Sequence, residues 1–148
     1  MGKIFVAILL IICLAFAMLF IVVDKNDMVF FGLRFYTIRD DAMSASELNA
    51  DMDVHLNAGD IVVIKEKDDY AALEPGTVIA FLSVNSDTYG ETITRAIRSA
   101  EYDKRGNLIG YVTFGTNTDT DDEALVEPGY IFGVYAGKIP ALGALLGY

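Results

Sequence analysis

The 148-residue chain is acidic, with 11 Lys and Arg against 21 Asp and Glu and a single His, a formal charge of −10. Only Lys3 precedes residue 24 among these charges, so the remainder carries ten basic and 21 acidic residues, a charge of −11. Such a surface repels nucleic acid and anionic headgroups, and one Cys with one His excludes a disulfide framework and a transition-metal cluster of ordinary spacing.

Residues 4–23 (IFVAILLIICLAFAMLFIVV) contain no charge, no Pro and no Gly. Twenty residues rising about 1.5 Å each reach roughly 30 Å, the thickness of a hydrocarbon core. The run is longer than the apolar part of a cleavable signal peptide, and the following IVVDKND offers no small-x-small site. An uncleaved membrane anchor is the expectation, with residues 1–24 as cytoplasmic stub and span. Lys3 and the terminal amine on one side, and Asp24, Lys25 and Asp27 on the other, place the N-terminus in the cytoplasm and residues 25–148 outside the cell membrane. Cys13 reads as a small lipid-facing residue, and the tail ALGALLGY is too short to span. The outer part, about 120 residues, suffices for one core and not two.

Residues 29–39 (VFFGLRFYTIR) are aromatic and β-branched and predict a strand. The polar stretch 40–60 predicts a loop that turns at Ala58-Gly59-Asp60 into a strand at 61–64 (IVVI). Residues 66–73 (EKDDYAAL) read as one helical turn, Glu74-Pro75-Gly76-Thr77 as a turn, and 78–84 (VIAFLSV) as a strand. Residues 92–101 (TITRAIRSAE) fit helix or strand. The DKRGN turn before 108–114 (LIGYVTF) predicts a hairpin, with Gly106-Asn107 supplying left-handed residues. A polar loop at 115–123 and a last strand at 130–134 (YIFGV) follow. About six short strands with little helix predict a mainly β domain, an all-β sandwich or partly open barrel on one N-terminal helix.

Five segments in this order resemble type I signal peptidases of the endoplasmic-reticulum and archaeal type, including SipW-like proteins. Residues 38–44 (IRDDAMS) resemble the family's Ser-x-Ser-Met segment, with Asp40, Asp41, Ala42 and Met43 in those places. Residues 58–63 (AGDIVV) are similar to its Gly-Asp turn and strand. Residues 73–81 (LEPGTVIAF) resemble Val-Gly-Asp-Val-Ile-x-Phe, with Thr77 in place of Asp. Residues 94–97 (TRAI) stand where the family has Thr-His-Arg-Ile. Residues 115–122, then 133–143 (GVYAGKIPALG), are close to its acidic loop and Gly-Lys-Ile-Pro-x-Leu-Gly ending. The resemblance implies a membrane-anchored serine endopeptidase of secretion. Such an enzyme uses no metal or cofactor, binds its substrate as an added strand, and acts on exported pre-proteins.

The chemistry of that family needs a hydroxyl nucleophile and a base that accepts its proton near neutral pH. The resemblance places Ala42 at the nucleophile, Arg95 at the base, and Thr116 and Asp122 at the two acidic positions. A methyl group cannot attack, and a guanidinium stays protonated. The expectation is a catalytically degenerate relative that binds exported precursors or an active signal peptidase paralogue. An active peptidase would use Ser44 or Ser46, although serines in such a stretch are ordinarily loop or capping residues. His55 is the only conventional base and lies in a loop, and Lys65 and Lys67 read as solvated. A third reading is a calcium-binding surface module built on Asp119, Asp121, Asp122 and Glu123, although the loop lacks EF-hand spacing and a solvated loop is the plainer reading.

Overall fold

The computed structural model describes residues 2–22 and 28–140, and the side chains of all of these except 3 and 16–30. The N-terminal segment forms one uninterrupted helix, α1 (Gly2–Val22), of 21 residues. Its described side chains from 4 to 15 are exposed. That stretch is shorter than a hydrocarbon core, and among the described residues no helix is long and apolar enough to cross a membrane. The expected span of residues 4–23, its flank Asp24, Lys25 and Asp27, and the tail 141–148 lie partly or wholly outside the described residues.

The rest is mainly β, as its alternating aromatic and β-branched runs dictate. Seven strands form one antiparallel sheet: β1 (Met28–Phe30), β2 (Leu33–Thr37), β3 (Ile61–Lys65), β4 (Val78–Leu82), β5 (Thr92–Tyr102), β6 (Leu108–Phe114) and β7 (Ile131–Ile139). Their order is β1-β2-β3-β7-β4-β5-β6. Two consecutive meanders are thus joined by the last strand, which leaves the helical connections of a parallel sheet unnecessary.

β4 explains why the sheet has two cores. Its sequence VIAFL lacks polar alternation, and its first four residues are buried. Val78 and Ala80 join a cluster with Val62, Ile64, Met43 and Leu56, whereas Ile79 and Phe81 join another with Ile93, Tyr111 and Val126. A strand buried on both faces needs apolar residues at every position. Each such side chain contributes about 1.5–3 kcal/mol of burial. Residues 40–60 cover one face through Met43 and Leu56, and Leu73 with Val126 cover the other.

Several local expectations are corrected. The single strand at 29–39 is a hairpin, because Phe31 (φ 52°) and Gly32 (φ 75°) both adopt the left-handed region between the paired residues Phe30 and Leu33. That two-residue turn matches the twist of its strands, but Phe is an unusual occupant and gave no turn signal. Residues 66–73 form turns and no helix. Residues 92–101 lie in strand β5, since Ile93, Ala96 and Ile97 need burial between β4 and β6. In the β5–β6 turn Gly106 alone takes a positive φ. Asn107 instead donates its backbone and side-chain N–H groups to the Asp103 carboxylate at 2.9 Å each. Those bonds, the side-chain one foremost, hold the Asp103 carboxyl below its usual range. The last strand runs to Ile139 and pairs with both β3 and β4.

Candidate functional site

The segment after β2 is fixed by backbone bonds on both sides. Ile38 N–H donates to the Asp60 carbonyl at 2.8 Å, and Gly59 N–H to the Ile38 carbonyl at 2.9 Å. Met43 is buried in the core, and its carbonyl accepts from Leu56 N–H at 2.7 Å. The Ala42 carbonyl accepts from Asn117 N–H at 2.9 Å, and Thr116 Oγ1 donates to the Ser44 carbonyl at 2.9 Å. Gly115 completes this junction: a Cβ there would stand 2.4 Å from the Ala42 oxygen. Residues 115–118 therefore act as a mould for residues 41–44.

Asp60 serves the same scaffold. It is buried, accepts from Asn57 N–H at 3.0 Å, and receives Lys138 Nζ at 3.2 Å. Lys138 also donates to the His55 carbonyl at 2.7 Å. The Gly-Asp turn and the Gly-Lys-Ile-Pro segment, far apart in sequence, thus meet in one ion pair.

Arg95 projects from β5 toward this junction, with its side chain only 11% exposed. Its Nη1 donates to the Thr94 carbonyl at 2.8 Å. Asp40 Oδ2 lies 3.6 Å from Nη1 and Asp122 Oδ1 lies 3.6 Å from Nε. These are ion pairs beyond hydrogen-bond length, and Nε is buried without a hydrogen-bond partner. Asp122 is held by Thr113, whose Oγ1 donates to Oδ2 at 2.7 Å and whose carbonyl accepts Asp122 N–H at 2.8 Å. Asp40 Oδ1 accepts from Ala42 N–H at 3.1 Å. Ala42's segment, Arg95 and Asp122, widely separated in sequence, are thereby assembled in one place. A methyl and a permanent cation offer no proton-accepting nucleophile pair there. What the cation does is neutralise two carboxylates that border it.

The other candidates stand apart or are occupied. Ser44 Oγ donates to the Asp41 carbonyl at 2.8 Å. Ser46 Oγ caps the short 3-10 turn Glu47–Asn49 by accepting from Leu48 N–H at 3.2 Å. Among the described residues neither hydroxyl is hydrogen-bonded to a His or Lys. The His55 Nδ1 is buried without a hydrogen-bond partner, while Lys65 and Lys67 are exposed. In the acidic loop, Asp121 pairs with Arg98 at 3.0 Å and Asp122 with Arg95. Among the described residues no group of three or more His, Cys, Asp or Glu could hold a metal, so the calcium reading gains no support.

A cleft of about 600 Å³ opens beside this assembly, between Tyr36–Asp40 on one wall and Gly90–Thr94 on the other, with Met43 and Phe132 in its lining. Sequence reasoning missed it because it arises from unequal strand lengths. β1 pairs only with Leu33, Arg34 and Phe35 of β2, and β6 pairs with β5 only from Ala96 onward. Among the described residues, the β2 edge beyond Phe35 and the β5 edge at 92–95 carry no further strand. The sheet brings these edges together, for Tyr36 Oη and Thr94 Oγ1 are hydrogen-bonded. Burial pushes the Tyr36 phenol far above its ordinary range, the Thr94 bond opposes this, and the Asp40 carboxylate adds to the rise.

No family model and no curated protein matches the chain.

Proposed function

We propose that this chain is a membrane-tethered, catalytically degenerate relative of the type I signal peptidases, and that it holds an extended segment of an exported precursor. The reading rests on the five ordered sequence segments, on the α1 helix ahead of the β domain, and on a cleft that suits an added strand in a partly open barrel. One observation carries it: two strand edges that are unpaired among the described residues face each other across the cleft, beside Ala42's segment and Arg95. An extended peptide satisfies such edges with its own backbone N–H and C=O groups. Ala42 and Arg95 then deprive the bound segment of a nucleophile and a base. The tether rests on the sequence run 4–23, which has no charge, Pro or Gly, and the outward orientation on Lys3 ahead of it.

The test uses the full chain in detergent micelles with a labelled pre-protein carrying a photo-crosslinker near its cleavage site. Cross-links to the cleft walls without mature product are expected. Mature product that vanishes in Ser44→Ala or Ser46→Ala would overturn the degenerate reading, and absence of any cross-link would remove the binding one. Protease protection of α1 in sealed vesicles tests the anchor separately.

A further inference from the structure

The cleft has an uneven balance of charge. Its ionisable lining consists of Arg39, Asp40, Glu91 and Tyr36. Asp40 is committed to Arg95 and to Ala42 N–H, Arg39 has an interaction partner, and the Tyr36 phenol stays neutral. Glu91 differs. It is exposed, its N–H donates to the Thr88 carbonyl and its carbonyl accepts from Ser83 N–H at 2.8 Å. Its carboxylate has no ion pair or hydrogen bond among the described residues. The backbone thus fixes Glu91 at the cleft mouth while its charge is left for something else.

The surroundings sharpen this. No Lys or Arg occurs at 40–64, which carries Asp40, Asp41, Glu47, Asp51, Asp53 and Asp60, nor at 83–94, which carries Asp87 and Glu91. Both of these segments are therefore anionic, while the lining's own cation, Arg39, has a partner and Arg95 beside the cleft sits between Asp40 and Asp122. An anionic ligand would meet uncompensated like charge on entry, whereas a cation would meet Glu91, the lining carboxylate that lacks a counterion among the described residues.

We propose that the cleft selects extended peptide segments that place a lysine or arginine side chain beside Glu91. The inference rests on the reading of the cleft as a peptide site and adds the chemistry of the occupant. The backbone of the segment supplies bonds to the two strand edges, and its cationic side chain supplies the choice among segments.

The full chain in micelles is titrated into fluorescently labelled alanine-based peptides, acetylated and amidated, with a single Lys moved through each position and a matched Gln series. At low salt the best Lys peptide binds about two- to five-fold tighter than its Gln counterpart, the range for one exposed ion pair. That preference shrinks at high salt and disappears in Glu91→Gln. This variant is chosen over Asp40→Asn because it does not release Arg95. Equal affinity for Lys and Gln peptides, or a preference that survives Glu91→Gln, overturns the inference and leaves the cleft a peptide site. Binding of none of the peptides removes the peptide reading itself.

Discussion

Gly115→Ala probes the junction that shapes the site. Gly115 has no left-handed φ, so alanine meets no backbone objection. The objection is spatial: the added methyl would stand 2.4 Å from the Ala42 oxygen, 3.0 Å from its carbonyl carbon and 3.1 Å from Thr118 Cγ2. Two of these are backbone atoms, which cannot rotate away as a side-chain end can. Relief requires moving Ala42, which stretches its 2.9 Å bond from Asn117 N–H. Overpacking of this kind costs about 1–3 kcal/mol, and the weakened hydrogen bond adds about 1 kcal/mol. The sum, about 2–4 kcal/mol, lowers Tm by about 8–15 °C for a domain of this size. Circular dichroism melts and urea titrations of the full chain in micelles read it. Gly129→Ala is the control, because nothing lies within 4 Å of a Cβ there. If Gly115→Ala melts within about 2 °C of the parent, the tight apposition of residues 42 and 115 is refuted, and with it the mould that residues 115–118 provide.

Arg95→Met removes the cation between Asp40 and Asp122 and leaves the mostly buried Asp122 unbalanced, so stability falls by about 1–3 kcal/mol in urea titration. The loss narrows at high salt, which screens the unbalanced carboxylates, and a loss independent of salt contradicts the electrostatic account. Tyr36, with a folded pKa raised by burial, contributes stability that is complete below the unfolded value of about 10 and declines above it. The decline approaches 1.4 kcal/mol per pH unit. Tyr36→Phe flattens this alkaline limb, and in ultraviolet difference titration the variant loses a phenol that ionises far above the ordinary range. Ala42→Ser combined with Arg95→His installs a hydroxyl and a base near Asp122, and the proposed degenerate-peptidase reading predicts slow cleavage of a pre-protein by this variant and none by the parent. Neither single variant suffices, because nucleophile and base act as a unit.

The β character was legible because burial leaves a mark on composition. The run VIAFLSV announces a strand, and DKRGN announces a hairpin, while the burial of VIAFL on both faces emerged only from the fold. The Phe31-Gly32 turn was not legible, since its conformation is imposed by the pairing of Phe30 with Leu33 and not by the preference of Phe. The residues at the site were singled out only through the resemblance of their segments to a known family. Ala42, Arg95 and Asp122 carry no local signal of proximity, and the cleft carries none at all.

By itself the amino-acid order determined which side chains exist: no hydroxyl at 42, a fixed positive charge at 95, one imidazole, and an acidic balance overall. Those are chemical identities, and folding cannot change them. Tertiary structure decided which of them meet. Pairing across the sheet placed Arg95 between two carboxylates, left the β5 edge at 92–95 beyond the reach of β6, and, among the described residues, left Glu91 without a counterion. Such outcomes depend on distances between segments remote along the chain, where no local preference acts.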